Sequence, residues 1–141
     1  MPVSGPPLDQ PFDMTDLLRP SLERDPDTTA LVSAEIRLTW RELDSVANRL
    51  AANLLALGLA PGDRVATLMP NRTALLIFYL ACFRAGLVVT PLNYRYTPRE
   101  IDHALEVSGA AALFSHVERE PDWRASRLVS ELPRGILTYG G

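Results

Sequence analysis

The stretch Arg64–Ile101, RVATLMPNRTALLIFYLACFRAGLVVTPLNYRYTPREI, decides the fold because two different periodicities alternate within it. Arg64–Met69 reads as a short strand, and Pro70 stops it. Asn71 is the expected cap of a helix over 72–85, which is apolar on nearly every side from Ala74 to Phe83 and so must be covered on more than one face. Gly86 is the natural stop. Leu87–Pro91 is a continuous apolar run, the pattern of a strand buried within a parallel sheet. After the loop LNYRY, Thr97 and Glu100 form a capping box with Pro98 at the first helical position, launching a helix to about Ser108 that Gly109 ends.

The flanking sequence extends this alternation. Downstream, Ala110–Ser115 reads as a strand, 122–132 as a short helix and Gly135–Tyr139 as a last strand. Strand and helix therefore alternate from Arg64 onward, as right-handed βαβ crossovers in a parallel sheet require. The fold class is α/β. Upstream, MTDLLRPSLER reads as a helix that Pro20 kinks or splits, and Ala30–Ser33 with Ile36–Leu38 as a small hairpin. In the next helix, Thr39 and Glu42 form a first capping box, and Leu43, Val46, Ala47, Leu50, Leu54 and Leu57 fall on one face before Gly58. Within the core, Leu76, Leu80, Val88 and Val89 are expected to be largely buried.

Composition narrows the function. A chain of 141 residues holds one modest domain, and 47% hydrophobic with 22% charged residues is an ordinary globular balance. The net charge of -3 argues against a nucleic-acid platform. All 14 basic residues are arginines, so no lysine is present for a Schiff base or a phosphate loop. Cys82 is the only cysteine and reads as a small buried apolar residue. Residues 1–13 read as a flexible proline-rich tail without signal-peptide pattern. The most apolar run, 74–83, is about half of the ~20 residues a membrane-spanning helix needs.

No compact catalytic motif stands out. His103 and His116 lack ligand-like spacing and read as ordinary helix and loop residues, no serine sits in a G-x-S-x-G elbow, and the glycines form no phosphate cradle. In open parallel sheets ligands sit beyond the carboxyl ends of the strands, which directs attention to the loops MPN, PLNYRY and SHVERE.

The segments LTWREL (38–43), PGDRVATLMPN (61–71) and FRAGLVVTPLNYRYTPREI (83–101), with ALEVSGAAALFS after them, together resemble the start of the acyl-adenylate-forming superfamily. The form PLNYRYTPREI, with Asn93, is more similar to acyl-CoA synthetases than to peptide-synthetase domains, where an Asp is common. The resemblance implies an intact enzyme that uses ATP, Mg2+ and coenzyme A to convert a fatty or other carboxylic acid to acyl-CoA through acyl-AMP. It further implies that 14–141 form a truncated N-terminal part of that domain, inactive alone and without bound cofactor, because the family's phosphate loop and catalytic lysine have no counterpart in these residues. Asn93, Tyr94, Arg95, Arg119 and Arg124 are the positions expected at a substrate or coenzyme A mouth. The expected partners are the remainder of the parent synthetase and a second copy of the chain, with no nucleic acid and no membrane span, in the cytoplasm. The competing reading is a self-standing interaction or ligand-binding module that reuses the fold without its chemistry.

Overall fold

The computed structural model describes residues 13–140, so the expected flexible tail lies outside the described residues apart from Asp13. A 3-10 turn at Met14–Asp16 leads into α1 (Arg19–Arg24), where Pro20 sits in the first turn, so proline separates the two pieces by starting the second. The hairpin is present as β1 (Thr29–Val32) antiparallel to β2 (Arg37–Thr39). Helix α2 (Trp40–Ala56) comes next, with both bonds of the Thr39–Glu42 capping box formed.

The main sheet contains β3 (Arg64–Leu68), β4 (Val88–Pro91), β5 (Ala112–His116) and β6 (Ile136–Tyr139), all parallel, in the order β4-β3-β5-β6. Helix α3 (Thr73–Ala85) connects β3 to β4, α4 (Pro98–Ser108) carries the chain from β4 across to β5, and α5 (Glu120–Ala125) lies between β5 and β6. Reversal of direction after β4 puts α3 and α4 on opposite faces, since each crossover must be right-handed.

On the first face α3 is sandwiched. Its Phe78, Ala81, Cys82 and Ala85 pack on the sheet with Val65, Ala112 and Phe114, while Ile77 and Leu80 meet Leu43 and Ala47 of α2. Phe78 and Phe114 stack with centroids 4.5 Å apart. Burial pushes the Cys82 thiol up to about 12, as befits an inert core residue. On the second face Ile101 and Leu105 of α4 pack with Leu68, Leu113 and Val129.

Several expectations are corrected. Leu80 is buried and Val89 half-buried, but Leu76 is 40% and Val88 45% exposed. Val88 lies on β4, an edge strand among the described residues; the fully buried strand is β5. Asn71 does not cap α3: the cap position is the extended Arg72, one residue later, whose side chain does not cap the helix. The helix expected over 122–132 breaks at the extended Ser126. The carboxylate of Asp102, on α4, takes hydrogen bonds from Ser126 Oγ (2.6 Å) and Leu128 N–H (2.9 Å), holding the chain as a turn before a 3-10 segment at Val129–Glu131. Along the single apolar face of α2, Leu43, Ala47 and Leu54 are buried within the chain, Val46 and Leu50 are half-buried, and Leu57 is exposed.

Candidate functional site

The strand order places a topological switch point between β3 and β5. The connection leaving β3 turns to one side of the sheet and that leaving β5 to the other, which opens a crevice at their carboxyl ends. Three loops meet there: 69–72 after β3, 92–97 after β4 and 116–120 after β5.

Glu118 is the hub. Its carboxylate accepts a hydrogen bond from the Tyr94 hydroxyl at 2.8 Å and lies 3.6 Å from the Arg72 guanidinium. The Tyr94 bond, with help from the positive charge of Arg72, holds the Glu118 carboxyl below its ordinary range. The same bond, by favouring the protonated phenol, raises Tyr94. Arg119 stands 5.3 Å over the Tyr94 ring, donates to the Tyr96 carbonyl and faces Asp122 at 3.4 Å.

His116, at the end of β5, is only 3% exposed. Its Nδ1 accepts from the Glu118 N–H at 3.2 Å, which assigns the ring hydrogen to Nε2; the 3.5 Å approach of Nδ1 to the Glu118 carboxylate is therefore not an ion pair. The Nε2 hydrogen has no acceptor among the described residues, and the ring lies edge-on to Tyr139 with centroids 5.8 Å apart.

Of the five residues singled out from sequence, the structure brings Tyr94 and Arg119 together. Asn93 accepts the Arg95 N–H in the exposed turn at 3.0 Å, and the Arg95 side chain makes no ion pair among the described residues. Arg124 turns to its own helix, pairing with Glu120 at 2.5 Å and covering the Trp123 ring at 5.0 Å. Sequence reading passed over Arg72, and it placed His116 in a loop; the structure puts His116 in a buried strand end, a consequence of β5 lying inside the sheet. Residue type gives no signal for either, since only the order of strands brings their loops together.

The described residues include no group of His, Cys, Asp or Glu able to hold a metal ion. The charged groups of the crevice are engaged with one another, so no nucleotide contact is assigned to them.

The AMP-binding enzyme family matches residues 18–138. The chain belongs to that family. It is 44% identical over 115 residues to a feruloyl-CoA synthase of Amycolatopsis, covering 79% of this chain and 23% of the relative. It is 39% identical over 101 residues to a long-chain-fatty-acid–CoA ligase of Escherichia coli, covering 71% and 18%. Among solved structures, ATP-bound MatB of Rhodopseudomonas palustris superposes with a TM-score of 0.81 at 29% identity, over 91% of this chain and 25% of that one. The chain thus spans about a quarter or less of the length of these relatives, aligned with the N-terminal part of an adenylate-forming domain. No helix among the described residues is long and apolar enough to cross a membrane.

Proposed function

We propose that this chain is the N-terminal sheet of an ATP-dependent acyl-CoA synthetase. The parent enzyme converts a carboxylic acid, fatty or aromatic, to acyl-CoA in the cytoplasm through acyl-AMP, with ATP, Mg2+ and coenzyme A. The observation that carries this reading is the family match over 18–138 together with the parallel sheet β4-β3-β5-β6 that those residues build. The role of the chain is architectural: the Glu118 hub fixes the loops after three strands at one end of the sheet, against which the remainder of the parent is set. Tyr94 and Arg119 are the residues proposed to approach substrate or coenzyme A, with Asn93 and Arg95 in the adjoining turn; Arg124, engaged on α5, stands apart from them.

By itself the chain is proposed to be inactive. Pyrophosphate exchange with ATP and a fatty or aromatic acid should not rise above the protein-free control; reproducible exchange that a mutation in this chain abolishes would overturn the proposal. Reading the frame past the Gly141 codon separates the two classes of function. A continuing frame with a Ser/Thr/Gly-rich loop supports the synthetase, whereas a stop codon supports a self-standing module.

Self-association is also proposed, most simply as a two-fold dimer in which equivalent α2 helices or a sheet edge pair across the axis. Light scattering coupled to gel filtration should give twice the chain mass; a monodisperse monomer at high concentration would refute it.

A further inference from the structure

The turn that carries Glu118 and Arg119 is started by a bond that one proton can undo. Val117–Arg119 form a 3-10 turn whose N-cap is His116, and the ring Nδ1 accepts from the Glu118 N–H at 3.2 Å. A ring nitrogen accepts only while unprotonated; the imidazolium has a donor at both nitrogens. Protonation at Nδ1 would therefore set two donors against each other and leave the turn without its cap.

A new partner for that proton is already in place. Glu118 Oε2 lies 3.5 Å from Nδ1, and the same oxygen accepts the Tyr94 hydroxyl at 2.8 Å. The other oxygen, Oε1, is 3.6 Å from the Arg72 guanidinium. The Tyr94 bond holds the Glu118 carboxyl below its ordinary range, so it stays ionised between about pH 5 and 8, where histidines ordinarily change charge. The other elements around the ring bring no competing acid. Tyr139 of β6 meets it edge-on; α3, on the face that Phe114 shares with His116, has no acidic residue, and its one arginine, Arg84, is paired with Asp44. From α2, Arg49 lines the same groove as Tyr139 and is a cation.

We propose that His116 is a proton-operated latch on the loops of the crevice. With the ring neutral, Nδ1 holds the Glu118 N–H and Glu118 Oε2 holds the Tyr94 hydroxyl. With the ring protonated by a proton from solvent, Nδ1–H turns to Oε2, displaces the Tyr94 hydroxyl and gives up the backbone bond. Loop 92–97 is then released from the end of β5, because its remaining ties to that turn run through Arg119, which stands over the Tyr94 ring and donates to the Tyr96 carbonyl. The latch uses bonds within the chain and no substrate, so it stands or falls separately from the synthetase reading.

The test is an NMR titration of the chain from about pH 8 to about pH 5, following the imidazole nitrogens and the backbone amides together. At the upper end the His116 ring should carry its hydrogen on Nε2. As the ring protonates, the amides of 92–97 and 117–119 should shift with the same midpoint as its nitrogens. His103, the other histidine, lies exposed on α4 and should titrate without moving those loops. His116→Asn offers an oxygen to the Glu118 N–H but cannot take up a proton, and should abolish the response. Glu118→Gln, at an exposed position, keeps an oxygen for Tyr94 and removes the charge that draws the imidazolium; the 117–119 shifts should remain and those of 92–97 should be lost. The proposal fails if the His116 ring stays neutral to the acid end of the titration, or if it protonates and the loops do not follow. It fails equally if the loops follow His103, or if their response survives His116→Asn.

Discussion

The two faces of the sheet solve the problem of cover differently. On one face α3 lies between the sheet and α2, so it is apolar nearly all round and its position rests on packing. On the other face α4 buries a single stripe, Ile101 and Leu105, and reaches its neighbouring turn through a polar clasp from Asp102. A doubly covered helix is fixed by shape complementarity with two partners; a singly covered one needs directional bonds to position the neighbouring turn.

If that contrast is right, truncation on the sandwiched side should do the most damage. Phe78→Ala removes a fully buried ring stacked on Phe114 and should cost roughly 3–5 kcal/mol in a denaturant melt, with Leu80→Ala costing roughly 2–5 kcal/mol. A loss within experimental error at either position would break the two-layer description.

The clasp should matter less. Asp102→Ala strips acceptors from Ser126, Arg127 and Leu128 and should cost about 1–3 kcal/mol, with hydrogen exchange quickening first in 126–131. Exchange that quickened uniformly would mean that the clasp does not act locally.

Acid should separate the faces further. Burial by itself would raise Asp102, but the bonds from Ser126, Leu128 and Arg127 outweigh it and hold the carboxyl below its ordinary value. A carboxyl lowered in the folded state contributes stability above its unfolded pKa of about 3.9, and loses it as pH falls through the folded value. Asp102→Asn should therefore flatten part of the stability loss below about pH 4; an unchanged acid limb would show that this group does not contribute.

The smallest effects are expected where sequence overstated burial. Leu76→Ser and Val88→Thr, at exposed positions, should each stay within about 0.5 kcal/mol of the parent chain. A loss of core size at Leu76 would mean that α3 is covered on yet another side.

Local chemistry was legible wherever the interacting groups lie within one helical turn. Both capping boxes form as read, Thr39 with Glu42 and Thr97 with Glu100, because each needs only residues three apart. Gly86 ends α3 at φ +69°, where an added Cβ would also approach Pro61 Cβ to 3.2 Å. The alternation of strand and helix likewise determined the α/β class, since periods of 2 and 3.6 are written into neighbouring residues.

Tertiary structure decided what depends on distant partners. The 122–132 segment has helical periodicity, yet Asp102, 24 residues before Ser126, breaks it. Val88 and β5 are both apolar, but only the strand order makes one an edge and the other the interior. The same holds for the candidate site: Tyr94 lies in a segment legible from sequence, but Arg72, His116 and Glu118 carry no motif, and the four meet because β3, β4 and β5 end together at one side of the sheet. Sequence alone determined the elements and their caps, whose energies are set over a few residues; the order of strands, the exposure of their side chains and the meeting of their loops are set by long-range packing.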